Sequence, residues 1–268
     1  MSSRGLLETP VDALRRDAGD EISMDHLTRA LQQLAAEEAH DGTAGAGAPD
    51  ATEPEWRPVG CYGHTSEWFK GALDRTLAVV GLIAVSPILA AIAIAVRLDS
   101  PGPAFFRQTR IGRGGRAFTF YKFRGMVTDA RERFPHLYEY RYSSEQVQGL
   151  RFHDGPDPRV TRVGAFIRRT SLDELPNLVN VVLGEMSLVG PRPEIPEMIP
   201  YYEGHAKTVL GVKPGITSLA KWVGRDDLTF QQTLDLDLRY VRERCLRMDV
   251  AILFGTVWKV IAGKLQGH

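Results

Sequence analysis

An apolar run of twenty residues, LAVVGLIAVSPILAAIAIAV from Leu77 to Val96, constrains this chain more than any other feature, because it contains no charged side chain. A straight helix of that length measures about 30 Å, which matches the hydrocarbon core of a bilayer. A buried core helix is the alternative, although a helix in a soluble core normally keeps a polar stripe. The run therefore predicts a membrane segment.

A serine-proline pair lies in the middle of this run. Pro87 lacks a backbone N–H and crowds the preceding turn, so we expect the helix to kink at Ser86 and Pro87. Cytoplasmic flanks of membrane segments carry an excess of Lys and Arg, and both flanks are basic here, with three such residues in 57–76 and five in 97–116. We therefore favour a re-entrant hairpin over about residues 68–98 rather than a full span. Non-helical backbone at that depth needs polar partners such as the Ser86 hydroxyl.

The formal net charge of +0 hides an uneven distribution. Residues 1–60 carry 12 acidic and 5 basic side chains, so this arm has a net charge of −7 and the remainder +7. The arm joins a short amphipathic helical pattern to a linker rich in Gly, Ala and Pro, and we expect a solvated extension, with a partner-binding element as the alternative. The domain boundary is placed near residue 60, and the basic body at 61–268 favours anionic partners.

Cysteine and histidine usage narrows the class of protein. Cys61 and Cys245 show no metal-site spacing and are too few for a disulfide framework, and the N-terminus lacks the basic and apolar regions of a signal peptide. The seven histidines form no H-x-x-x-H or H-E-x-x-H arrangement, so we do not expect a zinc site. A reduced protein that faces the cytosol fits these observations best.

A β-hairpin is expected directly after the membrane segment. Alternating apolar residues in AFTFYKF, with turn residues at PGP and RGG, predict this hairpin at the membrane surface. Lys122 and Arg124 flank Phe123 on one strand face, within reach of a common anion. Elsewhere helical patterns dominate, including one amphipathic helix from Leu234 to Lys259. The expected fold is α+β and mainly helical: a re-entrant membrane helix-hairpin and a small cytosolic catalytic domain at about 99–268.

Two adjacent carboxylates, Asp173 and Glu174, lie in the stretch RRTSLDELPNLVNVVLGEMSLVGPRP. Ser171 and Glu174 have the spacing of a capping box, which predicts a helix through LPNLVNVVL that ends at Gly184. Neighbours in a helix do not face each other, so the pair cannot form a symmetric dyad, but each can act differently around a shared cation or phosphate. The alternative is that Glu174 only closes the capping box and Asp173 only complements the helix dipole.

Basic residues around the pair favour an active site. Arg168 precedes the carboxylates and Arg192 follows them in the turn GPRP, while Asp157 and Arg159 lie in a polar turn that leads to the pair. The planar guanidinium suits phosphate, and Mg²⁺ usually takes one or two protein carboxylates together with phosphate oxygens and water. The sequence therefore predicts a diphosphate substrate with Mg²⁺.

These motifs, in this order, resemble the bacterial sugar transferase family. The resemblance rests on the apolar segment broken at Ser86-Pro87, then SPGPAFFRQTRIGRGGRAFTFYKFRGM, DPRVTRVGAFIRRTSLDELPNLVNVVLGEMSLVGPRP and VKPGIT, and it covers about residues 66–264. The family comprises monotopic polyprenyl-phosphate hexose-1-phosphate transferases, also called phosphoglycosyl transferases. The resemblance implies transfer of a sugar-1-phosphate from a UDP-sugar to polyprenyl (undecaprenyl) phosphate, with release of UMP. It implies a location on the cytoplasmic face of the bacterial inner membrane, where the reaction starts exopolysaccharide, capsule, O-antigen or glycoprotein glycan assembly.

The resemblance also implies residue roles. Asp173 matches the nucleophile that forms a phosphosugar intermediate, Glu174 matches the residue tied to Mg²⁺, and the pair forms the implied metal site. Arg168 matches a candidate for holding polyprenyl phosphate. The full substrate-binding set is Lys122, Arg124, Asp157, Arg159, Arg168, Pro191 and Arg192. Family members often have GITGLAQVNGR where this chain has GITSLAKWVGR, so the sugar and the nucleotide are left open.

One alternative is an inactive membrane-tethered scaffold or donor-binding protein of the same fold, which would bind the donor without releasing nucleoside monophosphate. A nucleic-acid partner is not expected, because the chain shows no recognised nucleic-acid-binding module. Membrane lipids are expected partners, and the sequence is compatible with a homodimer without requiring one.

Overall fold

The computed structural model describes Tyr62 and residues 64–151, 157–202 and 204–262. The acidic arm expected at 1–60 lies outside the described residues. The described part is mainly helical with a two-stranded hairpin, as predicted. The α-helices are α1 (His64–Asp99), α2 (Ala130–Arg133), α3 (Ser144–Gln148), α4 (Arg162–Arg169), α5 (Leu178–Leu183), α6 (Ala206–Val209), α7 (Leu219–Val223), α8 (Phe230–Glu243) and α9 (Leu246–Ile261). The strands are β1 (Phe105–Ile111), β2 (Ala117–Phe123), β3 (Ser187–Val189) and β4 (Gly215–Thr217), and 3-10 turns include Leu172–Asn177 and Pro196–Tyr202.

The apolar segment forms the centre of α1, a helix of 36 residues that continues through Pro87. The sequence predicts a kink at this position; the backbone is helical at every residue of α1, including Ser86 and Pro87. Proline leaves the Ile83 carbonyl without its usual donor four residues later, and the Ser86 hydroxyl donates to that carbonyl at 2.8 Å. The serine therefore replaces the hydrogen bond that the proline removes.

Little of α1 is covered by protein. Among the described residues it is the one helix long and apolar enough to cross a membrane, and only 11% of its most apolar stretch is buried. Ile83 is 70% exposed. A core helix would be mostly covered, so the described part of the chain does not support the core-helix alternative.

A buried polar cluster fastens the start of α1 to the body. Lys70 Nζ lies 2.7 Å from Asp249 Oδ2 of α9 and 3.3 Å from Asp74 Oδ2. The Ser187 hydroxyl of β3 donates to Asp74 at 2.6 Å, and the Tyr240 hydroxyl donates to Asp249 at 2.7 Å. All the ionic groups of the cluster are buried. The cluster therefore joins α1 to β3, α8 and α9.

The end of α1 is attached to the same body. The Asp99 carboxylate accepts the Val163 N–H of α4 at 2.9 Å. Ile92 and Val96 pack with Phe123 of β2 and Ile167 of α4 in one buried cluster. Both ends of α1 are therefore held by the remainder of the described chain.

The predicted hairpin is present. β1 and β2 pair antiparallel, from Phe105 opposite Phe123 to Ile111 opposite Ala117. Phe118 and Phe120 are buried, and alternation in a strand puts Lys122 on their face. The Asn180 amide of α5 donates to the Thr119 carbonyl at 2.7 Å, which fixes β2 against the segment that follows the acidic pair.

A short parallel pair, β3 and β4, links the GPRP turn to the KPGIT turn. The Gly190 N–H donates to the Thr217 carbonyl at 3.0 Å, and the Gly215 N–H donates to the Pro191 carbonyl at 2.8 Å. A Cβ at Gly215 would lie 2.1 Å from the Gly190 nitrogen, so only glycine allows this approach. The two turns are therefore held together by backbone contacts.

The prediction of a single helix from Leu234 to Lys259 is wrong in one respect, because the chain forms two helices there, α8 and α9. Arg244 and Cys245 are extended, with ψ of 131° and 164°. Arg244 forms an ion pair with Glu67 of α1 and lies over the Tyr62 ring. These tertiary contacts hold the backbone break where the sequence contains neither Gly nor Pro.

Candidate active site

A cavity of about 1040 Å³ contains both carboxylates of the acidic pair. Of the residues predicted to bind substrate, Lys122, Asp157, Arg159, Arg168 and Arg192 also line it, whereas Arg124 and Pro191 do not. Residues as far apart in the sequence as Lys122 and Arg192 therefore meet in one cavity with Asp173 and Glu174.

The backbone at the acidic pair differs from the predicted capping box. Ser171 is in the left-handed region, with φ 57° and ψ 16°, and its hydroxyl makes no capping hydrogen bond. Asp173 and Glu174 lie in the 3-10 turn that follows, and the chain then continues as α5 and ends at Gly184 with φ 84°, as predicted. The capping box fails because Ser171 is left-handed and not in the extended conformation that an N-cap requires. Glu174 therefore does not serve as a capping residue.

Asp173 is a buried carboxylate that faces several cations. Burial raises its pKa, and the neighbouring charge of Glu174 raises it further, while Lys122, Lys221 and Arg168 act in the opposite direction. Its side chain is thus held in a desolvated position among positive charges, which suits a carboxylate that attacks an anionic substrate.

Glu174 has a direct partner. The Lys221 ammonium forms an ion pair with its Oε2. Burial alone would raise the pKa of Glu174, but Lys221 outweighs that effect, with help from Arg192 and Arg225, and the pKa lies below its usual range. The two adjacent carboxylates therefore have pKa shifts of opposite sign, as expected for groups with different roles.

Lys122 lies on the same face of β2 as the buried Phe118 and Phe120, and its side chain lines the cavity. Burial lowers its pKa to about 8, although the negative charge of Asp173 acts against this shift. Its ammonium also lies 5.4 Å from the centre of the Phe106 ring. Lys122 is thus a cation at the wall of the cavity, close enough to Asp173 for their charges to interact.

Helix α4 presents Arg168 to the cavity. The Thr161 hydroxyl caps this helix by accepting the Gly164 N–H at 3.0 Å. A Cβ at Gly164 would lie 2.1 Å from the Gly125 carbonyl oxygen, so the helix packs directly on the backbone that follows β2. Arg168 Nη1 lies 3.9 Å from Asp157 Oδ2.

Asp157 and Arg159 form their own pair at the cavity wall. Arg159 donates through Nε and Nη2 to the Asp157 carboxylate, at 2.9 Å and 2.8 Å. Burial would raise the pKa of Asp157, but the hydrogen bonds and charge of Arg159 lower it. Asp157 thus remains ionised and orients both Arg159 and Arg168.

The GPRP turn presents Arg192 at the cavity, with 44% of its side chain exposed. Its backbone N–H donates to Asp237 Oδ2 of α8 at 3.3 Å. Pro191, expected among the substrate-binding residues, is buried outside the cavity, where its carbonyl accepts the Gly215 N–H. The structure therefore gives Pro191 a part in shaping the turn that carries Arg192.

Arg124 is not brought to the cavity. Strand β2 ends at Phe123, and the Arg124 guanidinium turns towards the end of α1. It donates to the Ser100 hydroxyl at 2.6 Å, to the Ser100 carbonyl at 2.8 Å and to the Pro103 carbonyl at 2.7 Å. It also donates to the Val96 carbonyl of α1 at 3.4 Å, and since carbonyls at a helix C-terminus attract a cation, this arginine caps α1.

The cavity lining also includes residues that were not predicted as site residues, among them Arg110, Asn177, Lys221 and Arg225. Asn177 is fully buried, and both polar atoms of its amide lack a partner among the described residues. Arg225 has a positive φ of 49°, and its guanidinium donates to the Arg168 carbonyl at 2.8 Å. Lys221 lies where GITSLAKWVGR departs from the family's GITGLAQVNGR, so this departure was the available signal for that residue.

The donor set of the cavity fits Mg²⁺. The described residues contain no group of three or more His, Cys, Asp or Glu that could hold a metal. Mg²⁺ needs fewer protein ligands, because one or two carboxylates suffice when phosphate oxygens and water complete its coordination. Asp173 and Glu174 supply oxygen ligands of that kind beside basic residues that suit a diphosphate.

Comparisons with known proteins show the family to which the chain belongs. A family model described as "Bacterial sugar transferase" matches residues 65–263, and the chain belongs to that family. It is 40% identical over 195 residues to "Galactosyl transferase CpsE" of Streptococcus agalactiae, covering 72% of this chain and 42% of that protein. It is 39% identical over 206 residues to the "UDP-glucose:undecaprenyl-phosphate glucose-1-phosphate transferase" of Escherichia coli K12, covering 73% of this chain and 40% of the relative.

A shorter relative is matched over most of its length. The "Exopolysaccharide production protein ExoY" of Sinorhizobium fredii is 35% identical over 195 residues, which cover 70% of this chain and 83% of that protein. The matches to the two longer relatives thus span less than half of those proteins.

Proposed function

We propose that this protein is a Mg²⁺-dependent phosphoglycosyl transferase that moves a sugar-1-phosphate from a UDP-sugar to undecaprenyl phosphate. The observation that carries the proposal is the single cavity in which Asp173 and Glu174 meet Lys122, Arg168 and Arg192. Membership of the bacterial sugar transferase family supports the same reaction. The relatives named above suggest glucose or galactose as the class of sugar.

The proposed first step forms a covalent intermediate on Asp173. A carboxylate oxygen of Asp173 attacks the phosphorus that carries the sugar, and the bond from that phosphorus to the bridging oxygen breaks. The electron pair leaves on that oxygen as part of UMP, and the sugar phosphate remains on Asp173 as an acyl phosphate. Lys122 and Arg192 are placed to neutralise the diphosphate during this step.

The second step transfers the sugar phosphate to the lipid. An oxygen of undecaprenyl phosphate attacks the same phosphorus, and the bond to the Asp173 oxygen breaks. The carboxylate is restored, and the product is a sugar linked to the lipid through a diphosphate. Arg168 is the candidate for holding the acceptor phosphate. When bound at Glu174 and Asp173, Mg²⁺ would supply charge neutralisation for the diphosphate.

We further propose that α1 enters the cytoplasmic leaflet of the inner membrane and returns, rather than spanning it. In support, the Lys70 cluster near its start and the Asp99 contact at its end attach to the same polar body. A spanning helix would separate two such attachments by about 30 Å of hydrocarbon. Exposed apolar side chains, including Phe166 of α4, which lines the cavity, and Leu183 of α5, suit contact with lipid.

Labelling can test this path. In a Cys61→Ser, Cys245→Ser background, single cysteines at Ser66 and Pro101 would be treated with a membrane-impermeant maleimide. We expect both to react in inside-out vesicles and neither in right-side-out vesicles. Reaction of the two sites from opposite sides would show a full span.

The reaction is tested by UMP release from purified protein with undecaprenyl phosphate, Mg²⁺ and a panel of UDP-sugars. We expect release with one sugar, dependence on lipid for turnover, and loss of release in Asp173→Asn. Asp235→Asn is the matched control, since Asp235 is exposed on α8 and outside the cavity. If the wild-type protein binds a donor but never releases UMP, the inactive scaffold of the same fold is the better description.

A further inference from the structure

A cation supplied by the chain itself contacts one carboxylate of the acidic pair. The Lys221 ammonium contacts Glu174 Oε2, and Lys221, Asp173 and Glu174 all line the same cavity. The side chains of the ion pair are 15% and 26% exposed. This contact lies at the carboxylate that the proposed function assigns to Mg²⁺.

Lys221 is held in place by its local structure. It belongs to α7, and the Ser218 hydroxyl caps that helix by accepting the Lys221 N–H at 3.0 Å. Leu219 and Ala220 of the same helix are buried. The ammonium also lies 3.4 Å from the Ile216 carbonyl. The backbone of α7 therefore fixes the root of the side chain, and only its flexible end can move.

We propose that Lys221 is an internal counterion that competes with the divalent metal for Glu174 and yields when the donor diphosphate arrives. This inference rests on the proposed function and deepens it. An ammonium and a divalent cation repel each other, so they cannot occupy the same carboxylate oxygens at contact distance. The ammonium must leave Glu174 before the metal can bind there.

A diphosphate would resolve this competition. Its oxygens can coordinate the metal and at the same time accept the Lys221 ammonium, which is long enough to turn from the carboxylate into the cavity. Metal and donor should then bind with positive coupling, and by linkage each raises the affinity of the other by the same factor. Weak metal binding in the absence of donor would keep the metal from occupying Asp173 and Glu174 before the substrate is bound.

The test measures binding of Mn²⁺ as the probe metal, by the electron paramagnetic resonance signal of free Mn²⁺, with and without UDP. In Lys221→Gln we expect the affinity for Mn²⁺ alone to rise about tenfold, and the gain on adding UDP to shrink, because coupling of this kind is usually 5–150-fold. Lys221→Arg keeps the charge and should resemble the wild type. Lys207→Gln is a control for charge loss at an exposed lysine outside the cavity.

Lys221→Met is a second charge-removing variant in case the glutamine variant does not fold. Equal Mn²⁺ affinity in the wild type and both neutral variants would overturn the inference. So would an absence of Mn²⁺ binding in every variant with UDP present. UMP release by the wild-type protein is measured in parallel. If the wild type releases no UMP but Lys221→Gln binds Mn²⁺ more tightly than the wild type, the result would count against the proposed function and support the role of Lys221.

Discussion

The cluster around Lys70 provides a quantitative prediction about how α1 is held. At an effective dielectric constant of about 20, the attraction of Lys70 is about 6 kcal/mol for Asp249 at 2.7 Å and about 5 kcal/mol for Asp74 at 3.3 Å. Desolvation of the three buried groups cancels much of this attraction. The net cost of removing one partner of a buried ion pair is about 3–5 kcal/mol, because the remaining charges are left uncompensated.

Lys70→Met should lie near the low end of that range. The hydroxyls of Tyr62 and Tyr240 still donate to Asp249, and that of Ser187 still donates to Asp74. These hydrogen bonds partly stabilise the two carboxylates after the lysine is lost. We expect a loss of about 3 kcal/mol, which lowers the melting temperature by about 6–12 °C for a body of this size.

The assay is thermal unfolding of the purified protein in detergent. The matched control is Arg239→Met, which removes a pair with Glu243 whose side chains are 62% and 55% exposed and which should change the melting temperature by no more than about 2 °C. The triple variant with Asp74→Asn and Asp249→Asn should recover part of the loss. If Lys70→Met unfolds within 2 °C of the control, the cluster does not anchor α1 as argued.

Three further predictions concern the surroundings of the cavity. Gly164→Ala should cost about 1–3 kcal/mol and reduce UMP release, because a Cβ there meets the Gly125 carbonyl; Gly149→Ala, with open space around it, is the control in thermal unfolding. Asn177→Leu should raise the melting temperature and weaken donor binding, since it removes two buried polar atoms that have no partner among the described residues; a lower melting temperature would contradict this. Burial raises the pKa of Asp237 to about 8, against about 4 in an unfolded chain.

The pKa values of Asp237 in the folded and unfolded chain determine how this residue changes the stability of the protein with pH. Between pH 4 and 8 the folded protein keeps a proton on Asp237 that the unfolded chain releases, so this group's contribution to stability is full below pH 4 and is lost as the pH rises through 8. Asp237→Asn still accepts the Arg192 N–H and does not titrate. The decrease in melting temperature from pH 5 to 8 should therefore be smaller in the variant, and an equal decrease in both proteins would contradict the assignment.

The sequence predicted those features that depend on local pattern. Alternation in AFTFYKF gave the hairpin, and Gly184 marked the helix end because only a residue tolerant of positive φ suits that position. The outcome at Arg124 could not be predicted in this way. Two residues apart in a strand share a face, but β2 ends at Phe123, and the carbonyls at the end of α1 compete for the guanidinium.

Long-range partners explain the other differences. The break between α8 and α9 carries no Gly or Pro, and Arg244 is drawn to Glu67, which lies far away in sequence. Ser171 and Glu174 have capping-box spacing, but Glu174 pairs with Lys221 across the cavity. A spacing rule describes one helix at a time, so it cannot show which distant cation a carboxylate will meet.

The position of the acidic pair relative to α1 follows from the same packing. Leu172, the residue before Asp173, packs on the cluster formed by Ile92, Phe123 and Ile167, and so it contacts residues that hold the end of α1. Asp173 itself turns into the cavity beside Lys122, which lies one residue before Phe123 on the opposite face of β2. In both segments, one residue packs towards α1 (Leu172 or Phe123) and its neighbour faces the cavity (Asp173 or Lys122). The proposed reaction between a water-soluble donor and a lipid acceptor would need its carboxylate close to α1, and this alternation is the structural reason that Asp173 lies in the cavity beside that helix.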